Sequence, residues 1–189
     1  MNTNDSKEKV LVIGEDNYKV LFNREQIQDK VQELAEKIKA EYIITRQAPI
    51  LLIVLTGGLY FGVDLSKKLD AIDFVHHVDT IGLKRYSSDE KGGAVELLSR
   101  PHADLIARDI IVVEDVIDHG DTMNFLNLYL KSQGVKSIIY CVLGLKNNHG
   151  PLSFEVKYAG FNLGPEWIVG YGLDSNQNYR GLTDIYVKS

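Results

Sequence analysis

An α/β fold built on a parallel sheet is the architecture this sequence predicts, and three observations carry it. The stretches 50–55, 110–113 and 136–145 are short runs dominated by apolar residues, the mark of strands buried on both faces of a sheet. Between them lie stretches whose apolar residues recur at helical spacing: Phe61, Leu65 and Leu69, then Met123, Leu126 and Leu130. The run at 110–113 also gives way to two adjacent carboxylates, Glu114 and Asp115. That change falls where an open sheet presents its carboxyl edge, the place where α/β folds collect ligands.

In chain order, residues 10–13 and 19–22 read as short strands around a turn at 14–17. A long amphipathic helix follows, with Ile27, Val31, Leu34 and Ile38 on one face. Asn23 suits its N-cap and Gln26 its third position, a capping-box start, and Pro49 marks the exit. The first central strand, 50–55, ends in Thr56-Gly57-Gly58. That turn is either a close approach of bare amides to an anion or an ordinary tight turn. After the second helix, residues 74–83 predict a strand running into Lys84-Arg85-Tyr86. Residues 87–93 are polar and glycine-bearing, the composition of a mobile loop: a lid that excludes water, or a hairpin tip. A strand at 94–98 returns from it. The strand at 136–145 ends at Lys146, and 154–161 predicts one more. Residues 162–174 (Asn-Leu-Gly-Pro-Glu-Trp-Ile-Val-Gly-Tyr-Gly-Leu-Asp) show no long period. They are either a structured loop at a pocket or a plain turn with Trp167 in the core.

Composition sets the outer bounds. A chain of 189 residues with 44% hydrophobic and 25% charged residues suits one globular domain with a full core. There is no internal repeat and no low-complexity tract. A net charge of -5 argues against a nucleic-acid partner, which usually meets a basic face. Cys141, the only cysteine, sits in an apolar run and reads as core, so no disulfide is expected within the chain. The polar start, 1–9, lacks a signal-peptide core and no run is long enough to span a bilayer. The cytoplasm is therefore the expected location, with no membrane partner. The five histidines give no metal site: His76 and His77 are adjacent, and no partner stands at zinc-finger spacing.

Residues 110–123 hold the most specific signal: Ile-Ile-Val-Val-Glu-Asp-Val-Ile-Asp-His-Gly-Asp-Thr-Met. Gly120 permits a sharp turn, and the free amides of the loop and helix start can hold a phosphate with the Thr122 hydroxyl. The bland alternative is a strand–loop–helix turn whose acids cap the helix. Neither Gly-x-x-x-x-Gly-Lys-Ser/Thr nor Gly-x-Gly-x-x-Gly after a strand occurs. The order of four apolar residues, two acids, two apolar residues and Asp-x-Gly-x-Thr resembles the phosphoribosyl diphosphate signature of the type I phosphoribosyltransferases. With Lys146 and residues 167–174 in this order, the chain resembles the hypoxanthine-guanine branch of that family from about 10 to 187.

The resemblance implies a mostly parallel twisted sheet flanked by helices on both faces. A small hood would come from both chain ends, with a core at about 24–146 and the hood at about 10–23 plus 147–189. It implies magnesium-dependent transfer of a phosphoribosyl group from phosphoribosyl diphosphate to N9 of a 6-oxopurine, and an assembly that is a homodimer or homotetramer. By resemblance Glu114 and Asp115 face the ribose hydroxyls, and Asp118 is the acid/base residue near purine N7. Residues 118–122 (Asp118, His119, Gly120, Asp121, Thr122) wrap the 5′-phosphate. Thr56, Gly57, Gly58, Arg85, Tyr86 and Arg180 complete the phosphoribosyl diphosphate contacts. Lys146 contacts the 6-oxo group, Trp167 stacks on the base, and Ile168 reads its edge through the backbone. Asp174 borders the base and helps hold magnesium, with Glu114 and Asp115 as further metal-side carboxylates. Taken singly, Lys146 is equally a solvated strand end, Asp174 a turn residue and Arg180 a surface ion-pair partner.

Three positions depart from the family pattern. Thr56 stands where many members carry lysine, so Arg85 is a candidate to supply the missing charge. Arg85-Tyr86 replaces a common Ser-Tyr at the lid. Asp121 puts an anion in the phosphate loop, unhelpful unless it points to solvent or caps the helix. The competing readings are a transferase for xanthine or uracil, and an RNA-binding regulator on the same fold.

Overall fold

The computed structural model describes residues 10–42, 47–85 and 94–189. The chain opens with a hairpin of β1 (Val10–Ile13) and β2 (Asp16–Phe22), followed by α1 (Arg24–Glu41). Then come β3 (Ile50–Leu55), α2 (Leu59–Ala71), β4 (His77–Arg85) and β5 (Val95–Ser99). The second half holds β6 (Asp109–Ile117), α3 (Asp121–Ser132), β7 (Ser137–Lys146), β8 (Tyr158–Leu163), β9 (Ile168–Val169) and β10 (Ile185–Lys188). Helix α1 starts with the expected capping box. The Asn23 side chain accepts the Gln26 N–H and the Gln26 side chain accepts the Asn23 N–H, both at 2.9 Å, which satisfies donors that a helix start leaves orphaned.

The large sheet has the order β5-β4-β3-β6-β7-β8, parallel throughout except for β5. Side chains alternate faces along each strand, and here both faces are covered. Leu51, Ile53, Ile111, Val113, Cys141 and Leu143 pack with the buried residues of α1 and α2. Ile50, Leu52, Val54, Ile110, Val112 and Val142 pack with Met123, Leu126 and Leu130 of α3. Two-sided burial is why these strands read as continuous apolar runs. From β3 the chain steps to β4 on one side and later to β6 on the other. The connections after β3 and β6 therefore turn to opposite faces and leave a crevice at the carboxyl edge.

A second, antiparallel sheet of order β1-β2-β10-β9 is made from both chain ends. Asp184, buried before β10, ties it to the rest by accepting the Arg24 N–H of α1 at 2.9 Å. Strand β8 lies within 147–189 yet pairs with β7 at the edge of the large sheet. Among the described residues, no helix is long and apolar enough to cross a membrane.

Several boundaries differ from expectation, each for a local reason. Strand β2 begins at Asp16, because Asp16 already pairs with Ile13. Strand β4 begins at His77 and not at 74: the Phe74 amide still bonds the Leu69 carbonyl, and the His76 ring turns back onto Ser66 at 2.8 Å. Residues 154–157 are not strand, because Phe154 stacks on Tyr140 with ring centroids 3.8 Å apart. Asn124 and Asn127 of α3 also hold Pro151 and Ser153. Strand β5 is displaced by one residue from 94–98. Strand β6 runs on to Ile117, so Glu114 and Asp115 belong to the strand itself. Strands β9 and β10 had no visible period. Trp167 is 54% exposed, which removes it from the core.

Candidate active site

The site begins where β6 parts from one neighbour and keeps the other. Pairing with β3 stops at Ile53–Val113, whereas pairing with β7 continues to Ile117–Leu145. The split opens the crevice beside Glu114 and Asp115, which are 8% and 9% exposed. The β3 loop closes its other side with no room to spare. A Cβ on Gly57 would lie 2.1 Å from Asp115 Oδ2, and one on Gly58 would lie 2.9 Å from the Val113 carbonyl. Glycine is therefore a steric requirement at both positions.

Burial pushes the Glu114 carboxyl well above the usual carboxylate range, and the neighbouring Asp115 charge adds to it. Asp115 is also raised by burial, against the opposing pull of its hydrogen bonds from Glu114 and the Val116 amide. Glu114 accepts the Asp115 N–H at 2.9 Å and Asp115 accepts the Val116 N–H at 2.6 Å. Buried carboxylates that resist ionisation in the free protein are poised to accept hydroxyls or meet a cation.

Beyond Ile117 the chain forms a hollow of about 140 Å³, lined by residues 114–123 and Arg85. Gly120 has φ +88 and precedes α3, whose start has no side-chain cap, so its first amides face an anion-sized space. The loop is braced from behind: the Gly150 amide donates to the His119 carbonyl at 3.1 Å, and Leu152 packs against Gly120. Asp121 does not cap the helix, and its half-exposed side chain is paired. Its Oδ2 lies 2.8 Å from Arg85 Nη2.

A second hollow of about 170 Å³ shares the wall formed by Asp115, Val116 and Asp118, and adds Lys146, Trp167, Ile168, Leu173 and Asp174. Lys146 ends β7 at 5% exposure, with Nζ 3.3 Å from Asp118 Oδ2. On the other side of Asp118, His119 Nδ1 stands 3.6 Å from the same oxygen. The 167–174 segment is locked in place. Gly172, at φ +103, abuts the Gly57 carbonyl, and Tyr171 donates to Asp64 at 2.8 Å. Arg180 reaches Asp174 Oδ1 at 2.7 Å and the Gly172 carbonyl at 2.6 Å.

The structure thus brings to this edge Gly57, Gly58, Arg85, Glu114, Asp115, the 118–122 loop, Lys146, Trp167, Ile168, Asp174 and Arg180; Thr56 lies in the turn after β3, and Tyr86 and the 87–93 loop fall outside the described residues. Reading the residues alone missed Val116 and Leu173 as walls, Asp64 as an anchor and Leu152 as a brace. All four are ordinary residues whose position follows from tertiary packing. A larger hollow of about 350 Å³ lies by the start of β7 with Lys131, Lys136 and Lys157 and one acid, Glu155, far from the carboxyl edge. Among the described residues no three His, Cys, Asp or Glu side chains form a metal cage. The donors here are carboxylate oxygens, which fit Mg²⁺ held by one or two carboxylates and completed by ligand oxygens and water.

Buried carboxylates beside an anion loop, at the point where a doubly wound sheet reverses its order, define an α/β enzyme for a phosphorylated, hydroxyl-bearing ligand. Residues 17–176 match the model of the phosphoribosyl transferase domain, and the chain belongs to the phosphoribosyltransferase family. The hypoxanthine-guanine phosphoribosyltransferase of Mycobacterium tuberculosis is 34% identical over 171 residues, covering 88% of this chain and 83% of its own. That of Bacillus subtilis is 34% identical over 172 residues, covering 89% and 92%. A solved hypoxanthine-guanine phosphoribosyltransferase from Bacillus anthracis matches with TM-score 0.80 and 32% identity, over 90% of this chain and 96% of that one.

Proposed function

We propose that the protein is a purine-salvage enzyme, transferring the 5-phosphoribosyl group of phosphoribosyl diphosphate to N9 of hypoxanthine or guanine. IMP or GMP and pyrophosphate are the products, and Mg²⁺ is the cofactor. The observation that carries the base assignment is the buried Lys146 ammonium 3.3 Å from Asp118 in the hollow beneath Trp167. A 6-oxopurine presents O6 and N7 side by side on one edge. If Lys146 donates to O6, Asp118 falls beside N7 and can take its proton as N9 attacks.

In that step the bond from C1′ to the pyrophosphate oxygen breaks, the N9–C1′ bond forms, and the N7 proton passes to Asp118. Glu114 and Asp115 accept the ribose hydroxyls and stabilise the positive charge that builds on the sugar. The amides of 119–122 with the Thr122 hydroxyl hold the 5′-phosphate. Gly57 and Gly58 offer amides to the pyrophosphate, with Arg180 nearby. Asp174 and the Glu114-Asp115 side would hold Mg²⁺, which when bound would supply neutralisation of the leaving group. Trp167 stacks on the base while the Ile168 backbone reads its edge.

The test is nucleotide formation from phosphoribosyl diphosphate with hypoxanthine, guanine, xanthine, adenine and uracil, each with Mg²⁺ and with excess chelator. IMP and GMP formation that requires the metal is expected. Turnover of uracil in place of purines, or none with any base, would sink the assignment.

A further inference from the structure

The 140 Å³ hollow is electrostatically odd for an anion site. Glu114, Asp115, Asp118 and Asp121 line it, and among the described residues Arg85 is the one Lys or Arg in its lining. Asp121 stands out, because it is the first residue of α3, beside the amides best placed to meet a phosphate. The guanidinium of Arg85, from the end of β4, lies against it at 2.8 Å. The two side chains come from elements far apart in sequence and are each part-exposed, at 38% and 46%. A free pair at that exposure contributes little to stability, so folding alone gives weak reason for it.

We propose that Arg85 acts on substrate affinity through Asp121: it is a positioning residue that cancels a carboxylate built into the phosphate loop. This rests on the phosphoribosyltransferase reading above and assigns the pair a job within it. An uncancelled Asp121 would repel a phosphate held at the start of α3, because like charges close together near a protein surface interact strongly enough to shift affinity. The consequence is that the value of Arg85 depends on the presence of Asp121.

A four-member cycle tests this: wild type, Arg85→Ala, Asp121→Asn and the double variant, with the KM for phosphoribosyl diphosphate and calorimetric binding of GMP. Arg85→Ala alone should raise the KM roughly tenfold or more, and more than it lowers kcat. In the Asp121→Asn background the same change should cost under about threefold. Raising salt should lower the KM of Arg85→Ala, because it screens a repulsion, while Arg85→Lys should restore much of the affinity. Equal losses in both backgrounds would mean that Arg85 meets the ligand independently and would overturn the inference while leaving the function intact. A wild type that neither binds GMP nor uses phosphoribosyl diphosphate would overturn both.

Discussion

The two hollows that share the Asp115–Asp118 wall are built in opposite ways. Among the described residues, the phosphate side comes from one continuous stretch, 114–123, joined by the distant side chain of Arg85. The base side is assembled from three separate pieces: 115–118, Lys146, and 167–174. The first crowds four carboxylates around backbone amides; the second sets one buried ammonium among Val116, Ile168 and Leu173. The same sheet edge thus offers one half that senses charge and one that senses shape and hydrogen-bond polarity. The split predicts that substitutions on one side leave the preference of the other largely alone.

The largest expected effect lies on the base side. Adenine would set its amino group against the Lys146 ammonium, donor against donor, and leave a buried lysine without its partner. Discrimination by unpaired polar groups reaches about 10⁴–10⁵, so hypoxanthine should exceed adenine in kcat/KM by that order. Lys146→Met should shrink the ratio by destroying hypoxanthine use, with little change in phosphoribosyl diphosphate affinity. Adenine turned over as well as hypoxanthine would remove Lys146 from base selection.

Asp118 belongs to both walls, so its substitution should blur the distinction. Asp118→Asn should lower kcat about 10²–10⁴-fold through lost proton transfer. It also strips the Lys146 ammonium of the charge 3.3 Å away, so KM for the base should move more than KM for phosphoribosyl diphosphate. Near-normal turnover by rapid-quench would exclude Asp118 from the proton's path.

How legible each half was follows from the same contrast. Residues 110–122 carried strand, acids, turn and helix start in one line of text, because the local backbone itself makes the phosphate side. The β6 apolar run, the capping box at Asn23 and Gln26, and the two-faced burial of β3 were readable for the same reason. The pairing of Lys146 with residues 167–174 rested on resemblance, since no local period connects a strand end to a loop. Short β9 and β10 were invisible because they gain their hydrogen bonds from each other and from β2. The Arg85–Asp121 contact was hidden too: each departure from the family pattern was plain alone, but only the fold brings the two charges together.

A smaller effect separates stacking from hydrogen bonding. Trp167 is half exposed at the mouth of the base hollow, and a stacked base gains roughly 1–3 kcal/mol. Trp167→Ala should therefore raise KM by about 5- to 150-fold for hypoxanthine and guanine together, without changing their ratio. A loss confined to one base would mean that Trp167 reads substituents and does not simply stack.

The smallest effect is one of stability and belongs to the acidic half. Burial raises the Glu114 carboxyl well above its ordinary value of 4.5, so the folded chain holds that proton more tightly than the unfolded chain does. The sign follows: this contribution to stability is full below pH 4.5 and is lost as pH rises through the higher folded value. Glu114→Gln keeps the carbonyl oxygen that accepts the Asp115 amide but carries no charge to bury. Without ligand or metal, the variant should melt about 2–4 °C higher than wild type at pH 8, as ~1 kcal/mol does in a chain of this size. The two curves should converge towards pH 4 in a thermal-shift series. Activity should fall in the same variant, because the charge that costs stability is the one the ribose and metal require. Melting curves that stay parallel across the whole pH range would show that Glu114 is not the group under strain.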